Sequence, residues 1–289
     1  MEALLPLLPH ALLACVLLNW LVWANRPLEA RWGTLGLTSL ALIVAILDHQ
    51  VPWWGTLVML TSLLLTLGSS AIYSPSKGFL ALLISLQGSL AFALAVHVFG
   101  WQSVMLDPAL SLGGEPFAWK VHFDKPFAAA LIALFLLMQP PSDQCPGSLM
   151  RPRMILLTVS GTLILTGLTL CMGASLNPKL GWAAIGFLLT NLLFTVIPEE
   201  LFFRGLIQAY LPKGNLQKNT LTVSLTALFF TLAHYSSSIS VSYLGLVFIA
   251  GLLYAAVYQL SRSIPLSIAA HLTVNAASVL LFDYPIRLA

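Results

Sequence analysis

Apolar runs of membrane-spanning length recur along this 289-residue chain and restrict what it can fold into. A helix needs about 20 consecutive apolar residues to cross the hydrocarbon core of a bilayer. Hydrophobic residues make up 58% of the chain and charged residues 8%, against about 25% charged residues in an ordinary soluble domain. Alternating strand patterns are absent, which favours helices over a barrel. The sequence therefore predicts an all-α, polytopic membrane helix bundle with about 8–10 transmembrane helices.

Ten apolar segments are candidates for these helices. The second and the fifth are shorter than a full crossing requires, so eight to ten spans are predicted. The segments cover residues 4–24, 33–47, 53–73, 79–99, 126–139, 154–173, 181–211, 219–235, 241–260 and 264–282.

A proline-rich segment divides the chain into two parts. Residues 139–143 read Gln-Pro-Pro-Ser-Asp, which is typical of a stiff linker. Up to about residue 138 the apolar segments are rich in leucine and alanine, and no cluster of charged or histidine residues lies within them. The sequence predicts an N-terminal transmembrane helical extension over residues 1–140 and a separate C-terminal unit over residues 150–285.

One long polar segment interrupts the predicted extension. Residues 100–125 contain Gly113, Gly114 and Pro116 and are predicted to form an irregular excursion outside the membrane. The distribution of basic residues between loops favours an N-terminus on the outer side, which makes Lys125 an outer-loop charge. The net charge of +3 is then mostly topogenic, and no basic cluster is dense enough to indicate nucleic-acid binding.

The most informative charges lie inside an apolar run. Between residues 181 and 211 the only charged residues are Glu199, Glu200 and Arg204. A charge at the centre of a membrane helix costs at least ~2.5 kcal/mol, so such residues form a functional-site hypothesis by default. Glu200 and Arg204 are four residues apart and can pair, whereas Glu199 lies about 100° around the helix. The alternative is that the run is two shorter pieces, with these charges at a water interface.

Pro198 precedes the two glutamates and predicts a kink or a fresh helix start there. At a fresh start, the following carboxylates would meet the positive end of the helix dipole.

Two further pairs of candidate site residues lie in later apolar segments. Phe230 and His234 are one helical turn apart, as are His271 and Asn275, so each pair can share a helix face. The alternative is that each histidine and Asn275 make ordinary interhelical hydrogen bonds and that Phe230 is packing.

Two kinds of hydrolytic site are compatible with these groups. In one, a divalent metal is bound by Glu199, His234 and His271, and its open coordination position activates a water. Zinc is the first candidate for this metal. In the other, Glu199 is the general base for a water without metal, while His271 and Asn275 stabilise the oxyanion. The H-E-x-x-H pattern of soluble zinc proteases is absent.

At these residues the chain resembles the CPBP intramembrane protease family, also called the Abi or CAAX-protease family, which includes the type II CAAX prenyl endopeptidases. The resemblance covers roughly residues 150–285 and rests on three motifs that occur in order. E-E-x-x-x-R corresponds to Glu199, Glu200 and Arg204, F-x-x-x-H to Phe230 and His234, and H-x-x-x-N to His271 and Asn275.

The resemblance implies a helical membrane fold with a sunken site that hydrolyses peptide bonds. It implies that the catalytic centre contains Glu199, His234, His271 and Asn275. Glu200 and Arg204 would be a supporting pair, and Phe230 a supporting residue. The predicted protein is an integral membrane endopeptidase, multi-pass and in the cell membrane, whose partners are the lipid bilayer and a membrane-associated protein or peptide substrate.

Two other functions are compatible with the same residues. One is a transporter or proton-relay protein in which Glu199, His234 and His271 form a buried protonation chain. The other is a non-catalytic immunity or binding scaffold that keeps the motifs for structure. The ordered motifs favour the protease, and the lack of paired broken helices in two matching halves of the sequence weighs against the transporter.

Overall fold

The structure, a computed structural model of the chain, describes residues 6–23, 27–71, 103–138, 150–211, 214–235 and 239–288. The predicted span at 79–99 and the proline-rich linker at 139–143 lie outside the described residues. Where the other nine spans are predicted, the structure contains helices.

The described helices are α1 to α10 in chain order, and one run of the chain also contains two π-helical segments. Their bounds are α1 Leu8–Trp23, α2 Pro27–Leu47, α3 Trp53–Ala71, α4 Asp124–Leu137, α5 Met150–Cys171, α6 Trp182–Asn191, π1 Leu192–Val196, α7 Ile197–Glu200, π2 Leu201–Gln208, α8 Leu216–Ala233, α9 Val241–Ser261 and α10 Ile264–Leu281.

Five helical segments of the described chain are long and apolar enough to cross a membrane. They are Ala30–Leu47, Arg151–Cys171, Trp182–Gln208, Val241–Ser261 and Ile264–Leu281. Two further apolar helices, Leu8–Val22 and Trp53–Leu67, are shorter. The prediction of an all-α, polytopic membrane bundle is confirmed.

The second span is longer than predicted. Helix α2 begins at Pro27 and has 21 residues, whereas the apolar run that predicts it starts only at residue 33. Proline is favoured in the first turn of a helix, where its missing N–H costs no hydrogen bond, so the helix can start before the apolar run does.

A first compact unit comprises Met1–Leu106, Lys120–Ser142 and Leu193–Phe202. Its centre is α4, against which α1, α2, α3 and α7 pack. At 14 residues α4 is about 21 Å long, too short to cross a bilayer of about 30 Å. Nearly all of its residues are buried, from Asp124 to Leu137. An apolar helix that is buried on all sides is a core element, and α4 has that role in this unit.

A second compact unit comprises Asp107–Trp119, Asp143–Leu192 and Phe203–Ala289. Helix α9 is central, since α5, α8 and α10 all pack against it. At Gly251 of α9, an added Cβ would lie 3.3 Å from the Cα of Ala227 in α8 and 3.3 Å from a ring carbon of Phe230. Small residues permit such close approach of membrane helices. Gly251 therefore fixes the spacing between α8 and α9.

The polar segment at 100–125 is not irregular, contrary to the prediction. It contains a two-stranded sheet of β1, Ser103–Leu110, and β2, Phe117–His122. Phe117 and Trp119 alternate along β2 and place their rings against Phe187 of α6, with centroids 5.5 and 6.1 Å away. Period-two alternation is the signature of a strand with one packed face, and the glycines and proline belong to the turn that joins the two strands.

The close approach at Gly251 gives a stability test. We expect Gly251→Val to destabilise the protein by about 1–3 kcal/mol, because the new side chain must displace the backbone of α8. The matched control is Gly245→Val in the same helix, where an added Cβ meets nothing within 4 Å. Thermal unfolding in detergent measures both variants. Equal midpoints for the two would contradict a special role for Gly251.

Candidate active site

The run from Trp182 to Gln208, here called the glutamate helix, is continuous but changes its helix type. An α-helical start is followed by π1, by the short α7 that holds Pro198, Glu199 and Glu200, and by π2. The helix thus continues past Arg204, and the two glutamates are not at its end. The predicted fresh start at Pro198 takes the form of a new α-helical segment that begins at Ile197, inside an unbroken helix. π-Helical turns are rare and occur often at functional sites.

The two glutamates are buried in the first unit. Glu200 is 0% exposed and Glu199 is 8% exposed. Oε1 of Glu199 accepts a hydrogen bond from Nζ of Lys125 at 2.6 Å, and the two form a salt bridge. Lys125 is in the first turn of α4, and about a third of its side chain is exposed. The structure therefore supplies a cationic partner for Glu199 from the N-terminal part of the chain.

Asp124 adds a second carboxylate beside Lys125. Its Oδ1 accepts a hydrogen bond from the backbone N–H of Lys125 at 2.7 Å. Asp124 is fully buried, and this burial raises the pKa of its carboxyl to about 6 from an ordinary value of 3.8. The charge of Lys125 acts in the opposite direction on this pKa, so the lysine lies within the field of both Asp124 and Glu199.

Arg204 lies in the second unit among aromatic rings. Its Cζ is 5.3 Å from the ring centroid of Phe230 and 5.5 Å from that of Tyr254. It also donates a hydrogen bond to the carbonyl of Gly251 at 3.2 Å. Its side chain is fully buried. Cation–π contacts at this range stabilise a desolvated guanidinium. The pairing of Arg204 with Glu200 stays a prediction.

Phe230 brings the two motif histidines together. Its ring centroid is 4.5 Å from that of His234 and 5.7 Å from that of His271, and all three residues belong to the second unit. The ring of His271 also stacks on Tyr254, with centroids 4.3 Å apart and planes at 14°. His271 is 3% exposed, whereas His234 is half-buried at the end of α8. Phe230 is thus the common neighbour of both histidines.

The backbone selects a protonation form of His234. Nδ1 lies 2.8 Å from the carbonyl oxygen of Phe230. A carbonyl only accepts hydrogen bonds, so Nδ1 carries the proton, and in the neutral ring Nε2 holds the lone pair. Nε2 is therefore the nitrogen of His234 that is suited to accept a proton or to bind a metal.

Asn275 has a partner that the sequence patterns do not indicate. Its Nδ2 donates a hydrogen bond to Oδ1 of Asn191, at 2.9 Å, and both residues lie in the second unit. Asn191 is the last residue of α6 in the glutamate helix. The side-chain amide nitrogen of Asn275 carries two hydrogens, and one of them makes this bond. The bond fixes the amide in orientation, as a hydrogen-bond donor to a reacting group requires.

The C-terminal end of the glutamate helix is held by amide side chains. Gln208 donates to the carbonyl of Ala255 at 2.8 Å, and Gln259 donates to Oδ1 of Asn219 at 2.7 Å. These bonds connect the helix to α9, and α9 to α8. Arg204 and Gln208, four residues apart, both bond to the backbone of α9.

The described residues do not contain a ready-made metal site. Glutamate and histidine are suitable zinc ligands in type. Within the described part of the chain, however, no three His, Cys, Asp or Glu side chains form a group that could hold a metal ion. The predicted binding of zinc by Glu199, His234 and His271 therefore stays a prediction, and the proposed chemistry is derived without a metal.

A comparison with known protein families finds a match in the C-terminal part of the chain. Residues 181–277 match the family model of the type II CAAX prenyl endopeptidase Rce1-like proteins. This segment contains all seven motif residues and covers less than half of the 289-residue chain, and the match does not include residues 1–180. No curated protein and no solved structure matches the chain. With its membrane-length helices, the chain is a multi-pass membrane protein, and its C-terminal part is similar to type II CAAX prenyl endopeptidases.

The stack of His271 on Tyr254 can be tested without an activity assay. We expect Tyr254→Leu to move the ring-proton resonances of His271 downfield, because the ring current of the tyrosine is lost. It should also lower the free energy of unfolding by more than about 1 kcal/mol. Tyr254→Phe keeps the ring and should keep the resonances. NMR of histidine-labelled protein in detergent measures this, and unchanged shifts in the leucine variant would contradict the stack.

Proposed function

We propose that this protein is an integral membrane endopeptidase. The observation that carries the proposal is the convergence of the second and third motifs. His234 and His271, 37 residues apart in sequence, both contact the ring of Phe230. The match of residues 181–277 to the type II CAAX prenyl endopeptidase model supports the proposed reaction class, which is hydrolysis of a peptide bond. Ordinary packing histidines would not be expected to meet around the aromatic residue of the same family motif.

In the proposed reaction Glu199 is the general base. It takes a proton from a water whose oxygen attacks the carbonyl carbon of the scissile bond. His271 and Asn275 donate hydrogen bonds to the oxyanion of the tetrahedral intermediate, and His234 orients the water through Nε2. The C–N bond then breaks, and Glu199 returns its proton to the leaving amine. Glu200, Arg204 and Phe230 support these groups.

The proposed substrate is a membrane-associated protein or peptide. A site on membrane-length helices selects substrates that the bilayer already concentrates. The family match makes a prenylated C-terminus the first substrate class to test. We propose the cell membrane as the location, with the lipid bilayer as the surrounding partner and no nucleic acid.

Removal of the proposed base should abolish cleavage. We expect Glu199→Gln to lower kcat/KM by about 10²–10⁴-fold, because general base catalysis is worth that much and glutamine cannot accept the proton. The matched control is Glu115→Gln, the same change at an exposed residue paired with Arg287, which should keep wild-type activity. Cleavage of a prenylated peptide in proteoliposomes measures both variants.

Turnover at the wild-type rate by folded Glu199→Gln would contradict the role of Glu199 as general base. If wild-type protein cleaves nothing but conducts a pH-coupled flux, the proton-relay function replaces the protease. If it does neither and folded Glu199→Gln keeps the biological effect, the binding scaffold replaces it.

Metal content distinguishes the two chemical routes. In the metal route, zinc is the cofactor that we propose, and Glu199, His234 and His271 are the residues that would hold it. Elemental analysis of purified protein is then expected to give near-stoichiometric zinc that is lost in His234→Ala. His49→Asn, at an exposed residue with φ of 57°, is the control, since asparagine tolerates that backbone conformation. Fully active wild type without metal would instead leave Glu199 as the unaided base.

A further inference from the structure

The cationic partner of Glu199 comes from a part of the chain that the family match does not include. Lys125 is the second residue of α4, more than 50 residues before the matched segment begins. Its Nζ lies 2.6 Å from Oε1 of Glu199, the distance of a strong charge-assisted hydrogen bond. Both residues are in the first compact unit.

The burial of this ion pair separates it from ordinary surface salt bridges. Exposed pairs contribute little, because water and salt screen the charges. Here the Glu199 side chain is 9% exposed, and that of Lys125 is 32% exposed. A buried carboxylate needs a partner to stay ionised, and loss of one member of a buried pair leaves a charge that nothing compensates. The carboxylate of Glu199 is therefore largely shielded from water and lies against the ammonium group of Lys125.

The backbone of Lys125 belongs to a well-packed helix. Helix α4 is buried along nearly its whole length, with Phe127 and Ala130 at 0% exposure. The backbone N–H of Lys125 is also fixed by the carboxylate of Asp124 at 2.7 Å. A side chain that starts from a packed helix loses less freedom when it bonds, so it can position its partner well. A lysine on a mobile loop could not do so.

We propose that Lys125 is a positioning residue for Glu199, and that the N-terminal part of this chain thereby completes the catalytic machinery of the C-terminal part. This inference rests on the function proposed above. Lys125 holds Oε1 of the carboxylate in one orientation and supplies its counter-charge. The N-terminal extension then contributes a residue to catalysis.

The kinetic test uses Lys125→Met, which keeps the length of the side chain and removes its charge. We expect kcat to fall about 10–100-fold with KM within about twofold of the wild-type value, because a misplaced base lowers the rate of chemistry without loss of substrate contacts. Lys125→Arg restores a cation at the same place and should recover most of the loss. The matched control is Lys120→Met, at an exposed residue of β2, which should match wild type.

A second measurement does not need activity. A hydrophobic carbodiimide activates a buried carboxylate, and an amine in contact with it then forms an isopeptide bond and releases the urea. In wild-type protein we expect mass spectrometry to find Lys125 joined to Glu199. The crosslink should be absent in Lys125→Arg and in Glu199→Gln, and it should persist in Lys120→Met.

The outcomes separate the two proposals. Wild-type kcat in folded Lys125→Met, or no crosslink in wild type, overturns the role of Lys125 and leaves the protease function intact. A crosslink in a wild-type protein that cleaves no substrate overturns the protease function and the positioning role with it, although the ion pair stands. If Lys125→Met does not fold, the partial recovery of kcat by Lys125→Arg and the wild-type crosslink decide.

Discussion

The burial of ionisable side chains inside a membrane-length helix is the constraint on which the rest of this structure depends. Glu199, Glu200 and Arg204 are all less than a tenth exposed, and each would cost several kcal/mol in hydrocarbon without compensation. The chain meets this cost with a lysine for Glu199 and with aromatic rings and a backbone carbonyl for Arg204. The start of α4 and Gly251 of α9 are far apart in sequence, and each supplies a partner to one of these charges.

The aromatic residues around Arg204 have two roles. Phe230 and Tyr254 present their faces to the guanidinium, and they also contact His271. A change in one ring therefore acts on a supporting cation and on a proposed catalytic histidine together. Gly251 adds to this coupling, because it offers a carbonyl to Arg204 and close approach to the helix that carries Phe230. These residues are in this sense part of the packing of α8 against α9.

Sequence patterns predicted the helices well because membrane helices follow from local composition. The glutamate helix, predicted at 181–211, is continuous from Trp182 to Gln208, and the two motif histidines meet at a motif residue. The hairpin at 103–122 was missed because two glycines and a proline in its turn outweighed the alternation of Phe117 and Trp119. Lys125 and Asn191 were missed for another reason. Their partners lie 74 and 84 residues away, and no local pattern encodes such contacts.

The π-helical segments on both sides of the glutamates have a consequence for the spacing of the motif. Each wide turn accommodates one residue more than an α-helical turn does, and one residue corresponds to about 100° of rotation around the axis. In a regular α-helix one extra residue rotates everything beyond it by that angle, whereas a π-helical turn absorbs the extra residue within itself. Residues on either side of π1 and π2 therefore do not face the directions that a count at α-helical spacing gives. The relation between sequence spacing and helix face changes along this run, so a motif spacing read from the sequence fixes a shared face only within one helical segment.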